Sequence, residues 1–365
     1  MEELVSESAE SFVGFASSSW LYYFLFAIIL GFVAYMIWKS VEPSESKALA
    51  KAKPTFDAYQ KVTRVAPLGC PTPYRLCDYY IASSSYSVFP GAQLYDYVSD
   101  SILPLVIKAG PRLVELDIYA DEQNKPVVGL KNQKLGVDYA YNTVPFSACC
   151  VSIANNAFNS ISSPASSDPF MLSLVFHTNK TNVINACAET LKTTCQKFML
   201  DSEYSYTRKN LAVEPICNLQ NKLVIVSGGS VKGTLMEELV NLSWDTSHLR
   251  RMTYTQASQP HDHEELINFN RNHITMVVPD ADEDLINKNS EILFTYGCQL
   301  NLMNYGSADS VMEYYIGEFQ ENSCVLKPAA LRPLKPKKYK KPTLPDPSVS
   351  FQPMRKTSPV YDVTI

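Results

Sequence analysis

The chain has 365 residues, a formal charge of −5, 46% hydrophobic and 19% charged residues, and nine cysteines. That is enough for one large globular domain with appendages and too ordered a composition for a disordered chain. Seven Lys/Arg and two Asp in Pro333–Ile365 make the tail +5 and the remainder about −10. An acidic body argues against a nucleic-acid-binding core, and no nucleic-acid partner is expected.

Residues 1–19 are polar and carry Glu2, Glu3, Glu7 and Glu10 with no Lys or Arg. Trp20–Trp38 then runs without a charge, with Tyr22, Tyr23 and Tyr35 near its ends. At about 1.5 Å per residue it reaches across a bilayer's hydrocarbon core, and the aromatic residues suit the two interfaces. The acidic start and the length of the apolar run fit a cleaved signal peptide poorly, so a retained transmembrane helix is expected. Lys39, Lys47, Lys51, Lys53, Lys61 and Arg64 follow the span. The positive-inside rule therefore puts the N-terminus outside and the C-terminal side in the cytosol. Residues 39–66 read as a polar linker, with a helix continued from the membrane as the alternative for its start.

Residues 67–332 alternate apolar runs with helical patterns. Strands are expected at Leu113–Tyr119, Phe170–Phe176, Leu223–Val226, Ile274–Val278 and Gln299–Met303. Helices are expected at Gln93–Lys108, Val183–Met199 and Glu264–Arg271. Strands interleaved with helices predict an α/β barrel of parallel strands. The cysteines show no framework spacing and no C-x-x-C, which predicts reduced thiols in a cytosol-facing domain. The sequons at Asn179 and Asn241 point the other way. Prolines 333, 336, 342, 345 and 347 interrupt a lysine-rich tail, predicting an extended or disordered arm over 333–365.

Ordered motifs run through 67–332. Tyr79–Ser85 is followed by Gln93-Leu94, then Gly110-Pro111-Arg112-Leu113-Val114-Glu115-Leu116-Asp117, Lys125–Val128, Asn156–Phe158, Pro169–Leu174 and Leu219–Ile225. After a short linker, 229–246, come Ile274–Pro279, Tyr296–Asn304 and Cys324–Arg332. In order and spacing they resemble the two catalytic-barrel halves of eukaryotic phosphoinositide-specific phospholipase C, an X-like half over 67–228 and a Y-like half over 247–332. The resemblance implies a distorted TIM-type barrel and a reaction needing a general base, a general acid and calcium.

It also implies where that chemistry sits. The two histidine positions fall on Ser85 and Leu130. Of the calcium ligands only Glu115 and Asp117 remain, at i and i+2 on one strand face, while Tyr86 and Val175 occupy the other two positions. Two carboxylates make a weak divalent site at best, because calcium takes six to eight oxygens. His177 matches no catalytic position. The phosphate-binding lysines fall on Val226–Gly229, and the later serine and arginine fall near Tyr254 and Met276. His261-Asp262-His263-Glu264-Glu265 reads as a helix N-terminus, and Gly228–Thr234 as an ordinary loop.

The expectation is a membrane-anchored, non-catalytic barrel with no cofactor. It would bind neighbouring proteins through the barrel and the 333–365 tail. One version is a structural membrane protein of a large DNA virus, linking an internal membrane to a capsid. The alternatives are a cellular pseudoenzyme, a headgroup binder, or a phosphodiesterase with an altered site built on Glu115, Asp117 and His177.

Overall fold

The computed structural model describes residues 19–41, 44–91, 94–132, 137–281, 285–333 and 353–365. Eight parallel strands build the domain: β1 (Tyr79–Ser85), β2 (Leu113–Ala120), β3 (Phe170–Phe176), β4 (Leu223–Ser227), β5 (Leu242–Ser243), β6 (Leu249–Thr253), β7 (Ile274–Val278) and β8 (Leu300–Asn304). Consecutive strands pair, and β8 pairs back onto β1, with Ile81 beside Leu300 and Ser85 beside Asn304. Among the described residues only the β5–β6 seam is unpaired. The result is a nearly closed TIM-type barrel, as the alternating sequence pattern predicts.

Strand parity divides the core into two shells. Ile81, Leu113, Met171, Val224, Leu249, Met276 and Leu300 pack together inside the barrel. Their sequence neighbours Ala82, Val114, Leu172 and Ile225 face outward into a larger shell with the surrounding helices. Both faces of β1, β4, β7 and β8 are buried, and β4 and β7 read as nearly unbroken apolar runs for that reason.

The helices are α1 (Ser19–Val41), α2 (Glu45–Val62), α3 (Leu103–Lys108), α4 (Phe146–Asn156), α5 (Thr181–Thr194), α6 (Tyr254–Ser258), α7 (His263–Asn270), α8 (Glu291–Thr295) and α9 (Ser310–Glu318). The 23 residues of α1 span about 34 Å. Its stretch Leu21–Lys39 has mean hydropathy 2.1 and none of it is buried, so it is long and apolar enough to cross a membrane. A signal sequence near an N-terminus has the same length and composition.

Four expectations need correction. The stretch 39–66 is not simply a linker: α2 occupies most of it and buries Ala48, Ala52, Phe56 and Tyr59. Tyr59 donates a hydrogen bond to the Ser307 carbonyl at 3.2 Å and meets the Tyr305 ring edge-on. The helix expected over Gln93–Lys108 begins only at a short 3-10 turn, Asp100–Ile102, capped by Ser99, because Tyr95 takes a left-handed φ of 62°. Cys70 and Cys217 form a disulfide, so the thiols are not all reduced. Cys70 lies in the segment leading into β1 and Cys217 in the one leading into β4. Their 147-residue separation hides the pairing from sequence spacing.

The fourth concerns the tail. Pro333–Ile365 is a unit of its own, and residues 334–352 lie outside the described ones. Its end is a hairpin of Arg355–Thr357 and Asp362–Thr364, so the expected extended or disordered arm does not run to the last residue. Arg355 Nε donates to Asp362 Oδ1 at 2.9 Å across it.

Three signature residues are structural. Arg112 is fully buried. It donates to the carbonyls of Pro169, Ala157 and Asp168 and to Ser163, and packs over the Phe158 and Phe170 rings. Burial lowers its guanidinium to about 10. Gln299 Nε2 reaches the carbonyls of Cys77, Asn270 and His273, while its Oε1 accepts from the Thr275 amide. Lys327 Nζ donates to the Asn270 carbonyl at 2.7 Å, and burial lowers its ammonium to about 8. Arg112→Met strips several buried acceptors of their donor at once. We expect it to cost about 3–5 kcal/mol in urea unfolding, with Arg112→Lys recovering only part.

Candidate functional site

The inward parity that fills the barrel with apolar side chains also sets its mouth, at the C-terminal strand ends. Ser85 shares the parity of Ile81, Glu115 and Asp117 that of Leu113, Ser173 and Val175 that of Met171, and Arg251 that of Leu249. The cavity there has a volume of about 250 Å³, and Tyr86, Glu115, Asp117, Leu130, Val175, His177 and Arg251 are among its lining residues.

Each carboxylate of β2 is engaged by another side chain. Arg251 Nη2 lies 3.1 Å from both oxygens of Glu115, and Ser173 Oγ donates to Oε2 at 2.9 Å. Glu115 is only 7% exposed. Burial pushes its carboxyl up, Arg251 pulls it down, Asp117 pushes it up, and the net direction is upward. Burial works against the charged Arg251, but Glu115 and then Asp117 outweigh it and raise its pKa. Arg251 also packs over the Trp244 ring. Asp117 Oδ1 lies 2.6 Å from His177 Nε2, and the imidazole stacks on Tyr119 with centroids 4.6 Å apart.

The residues at the implied histidine positions carry no acid–base group. Ser85 is buried at the end of β1, and its Oγ has no hydrogen-bond partner among the described residues. Leu130 is buried at the cavity wall. Tyr86 takes a φ of 50° just beyond β1, and Val175 borders the cavity. The described residues contain no group of three His, Cys, Asp or Glu side chains able to hold a metal. Calcium does not fit here: Arg251 already places a positive charge on Glu115, and an aliphatic and a phenolic residue stand at the other ligand positions.

Residues 73–228 match the family profile "Phosphatidylinositol-specific phospholipase C, X domain". Over that stretch the chain is similar to that X domain. The stretch supplies β1 to β4 and both carboxylates of the mouth, and the later strands complete the barrel. Solved structures share the fold. PLC21 of S. officinalis aligns at TM-score 0.61 and 21% identity over 73% of this chain and 39% of its own. PLC21 of L. pealei aligns at 0.62 and 20% identity over 74% and 39%. The chain thus spans about two fifths of the length of those proteins. No curated protein matches it by sequence.

Arg251 is the site residue that the resemblance did not supply. It lies in strand register beside Met276, where the resemblance implies an arginine, so the cation stands one strand away. Its signal was an arginine two positions after inward-facing Leu249. The other motifs are structural. Asp262 caps α7 by accepting from the Glu265 amide, Glu265 pairs with Arg250, and His263 bonds the Tyr296 hydroxyl. In the Gly228–Thr234 loop, Asp245 takes the Gly229 amide and Glu237 the Gly233 amide, so carboxylates already occupy those donors.

Removing Arg251 leaves Glu115 buried beside Asp117. We expect Arg251→Met to cost roughly 3 kcal/mol at neutral pH. A carboxyl held above its ordinary range favours the fold below its unfolded pKa of about 4.3, and that contribution is lost as pH rises through the folded value. The Arg251→Met penalty should therefore shrink toward pH 4.5, read from urea midpoints at the two pH values. Arg251→Met combined with Glu115→Leu should recover most of it at neutral pH.

Proposed function

We propose that this protein is a membrane-tethered, phospholipase-C-like barrel that acts by binding rather than by turnover. The observation that carries the reading is a split among signature residues. Arg112, Gln299 and Lys327, which hold walls and floor, are present and fully engaged. The mouth has serine and leucine at the histidine positions and a carboxylate neutralised by the chain's own Arg251. General acid–base groups contribute about 10²–10⁴-fold each to such a reaction. Their replacement leaves the barrel's stability intact while removing the means of catalysis. Helix α1 supplies membrane residence in this reading, and the barrel and the basic tail engage neighbouring proteins. The full chain should give no turnover of phosphatidylinositol, phosphoinositides or glycerophosphodiesters, with or without calcium. Turnover abolished by Glu115→Ala or Asp117→Ala would overturn the proposal.

One contact favours a second reading. The Asp117–His177 pair, stacked on Tyr119, is a geometry able to orient an imidazole for proton transfer. In that reading the mouth is a phosphodiesterase with altered, calcium-independent chemistry. It predicts turnover unaffected by a chelator and lost in His177→Ala, whereas the binding reading predicts that His177→Ala has no activity to remove.

A further inference from the structure

We propose that the barrel folds in an oxidising, glycosylating compartment and carries an N-linked glycan on Asn179, at the rim of its own mouth. The first observation is the distribution of all nine cysteines. Seven are free, and every one of them is buried. The two that reach solvent, Cys70 and Cys217, are bonded to each other. A chain exposed to an oxidant has this pattern, because a thiol is oxidised only where a thiolate can be reached. A chain kept in a reducing cytosol has no need of it.

The second observation separates the two sequons. Asn241 is 4% exposed. Its Oδ1 accepts from the Ile225 amide and its Nδ2 donates to the Tyr204 carbonyl, so it is closed to modification. Asn179 and Lys180 are exposed on irregular backbone between β3 and α5, and Thr181, also exposed, opens α5. The Asn179 Oδ1 accepts from Ser230 Oγ. Surface loops are where this tripeptide is modified in secreted chains.

Both steps balance. The two thiols give up two protons and two electrons to a disulfide-carrying oxidoreductase, whose own disulfide becomes a dithiol as the Cys70–Cys217 bond forms. The Asn179 amide nitrogen displaces the lipid diphosphate of a lipid-linked oligosaccharide. The nitrogen–sugar bond forms, the sugar–phosphate bond breaks, and the amide loses one proton. Asn179 lies two residues beyond His177, so the glycan would stand over the mouth. That placement does not depend on whether the mouth turns over a substrate.

The lysines after α1 predict the opposite orientation, so the two signals make opposed predictions for one molecule. The test is the full chain made in eukaryotic cells, its thiols blocked before lysis. The expected result is a mobility shift on amidase deglycosylation, absent in both Asn179→Gln and Thr181→Ala, with a Cys70–Cys217 linked peptide in non-reducing mass spectrometry. Thr181→Ala keeps the Asn179–Ser230 contact and so separates loss of the acceptor from loss of the fold. An unglycosylated chain with both cysteines alkylated overturns the proposal. A disulfide without a glycan overturns it too, as does a glycan that survives both variants.

Discussion

A barrel of parallel strands has one inside, and a side chain reaches it only from the inward parity of its strand. Leu113, Glu115 and Asp117 follow one another up β2 for that reason, apolar at the floor and acidic at the mouth. The same rule places Arg251 above Leu249 and opposite Glu115. Changing the register of either strand by one residue would move these charges into the outer apolar shell, where no partner waits.

The buried charges obey a second constraint. Ionised groups are tolerated inside only when paired or richly hydrogen-bonded. Arg112 meets this with backbone carbonyls and two aromatic rings, and Lys327 with carbonyls alone. Glu115 meets it with Arg251 and a serine hydroxyl. The Glu115 charge is therefore met from within the chain. A site built to take a cationic metal would leave its carboxylates uncompensated until the metal arrived.

Much of this was legible in sequence. β3 and β7 fall on the expected Phe170–Phe176 and Ile274–Val278, because buried strands are continuous apolar runs, while β1 was legible only through the resemblance carried by Tyr79–Ser85. Glu115 and Asp117 were placed correctly on one face, and the bonds they make required the fold. Arg251 is remote in sequence from Glu115, and nothing local marks the pair. The extent and packing of helix α2 escaped because its buried stripe is half alanine, Ala48 and Ala52 beside Phe56 and Tyr59, and its exposed positions are lysine-rich. The disulfide escaped because chain spacing carries no information about a contact made by two separate approaches to the barrel floor.

The entry to the barrel has a mechanical consequence. After α2 the Arg64 amide bonds the Gln320 carbonyl, and Ala66 bridges Asn322 in parallel. The chain then runs into β1, whose Tyr79 and Ile81 pair with Leu326 and Cys324 just before the domain ends. The first and last segments of the barrel are thus sewn together. Tension applied between the N-terminal helix and the C-terminal arm would enter and leave through adjoining strands. It would load their hydrogen bonds while β2 to β7 stayed out of the force path.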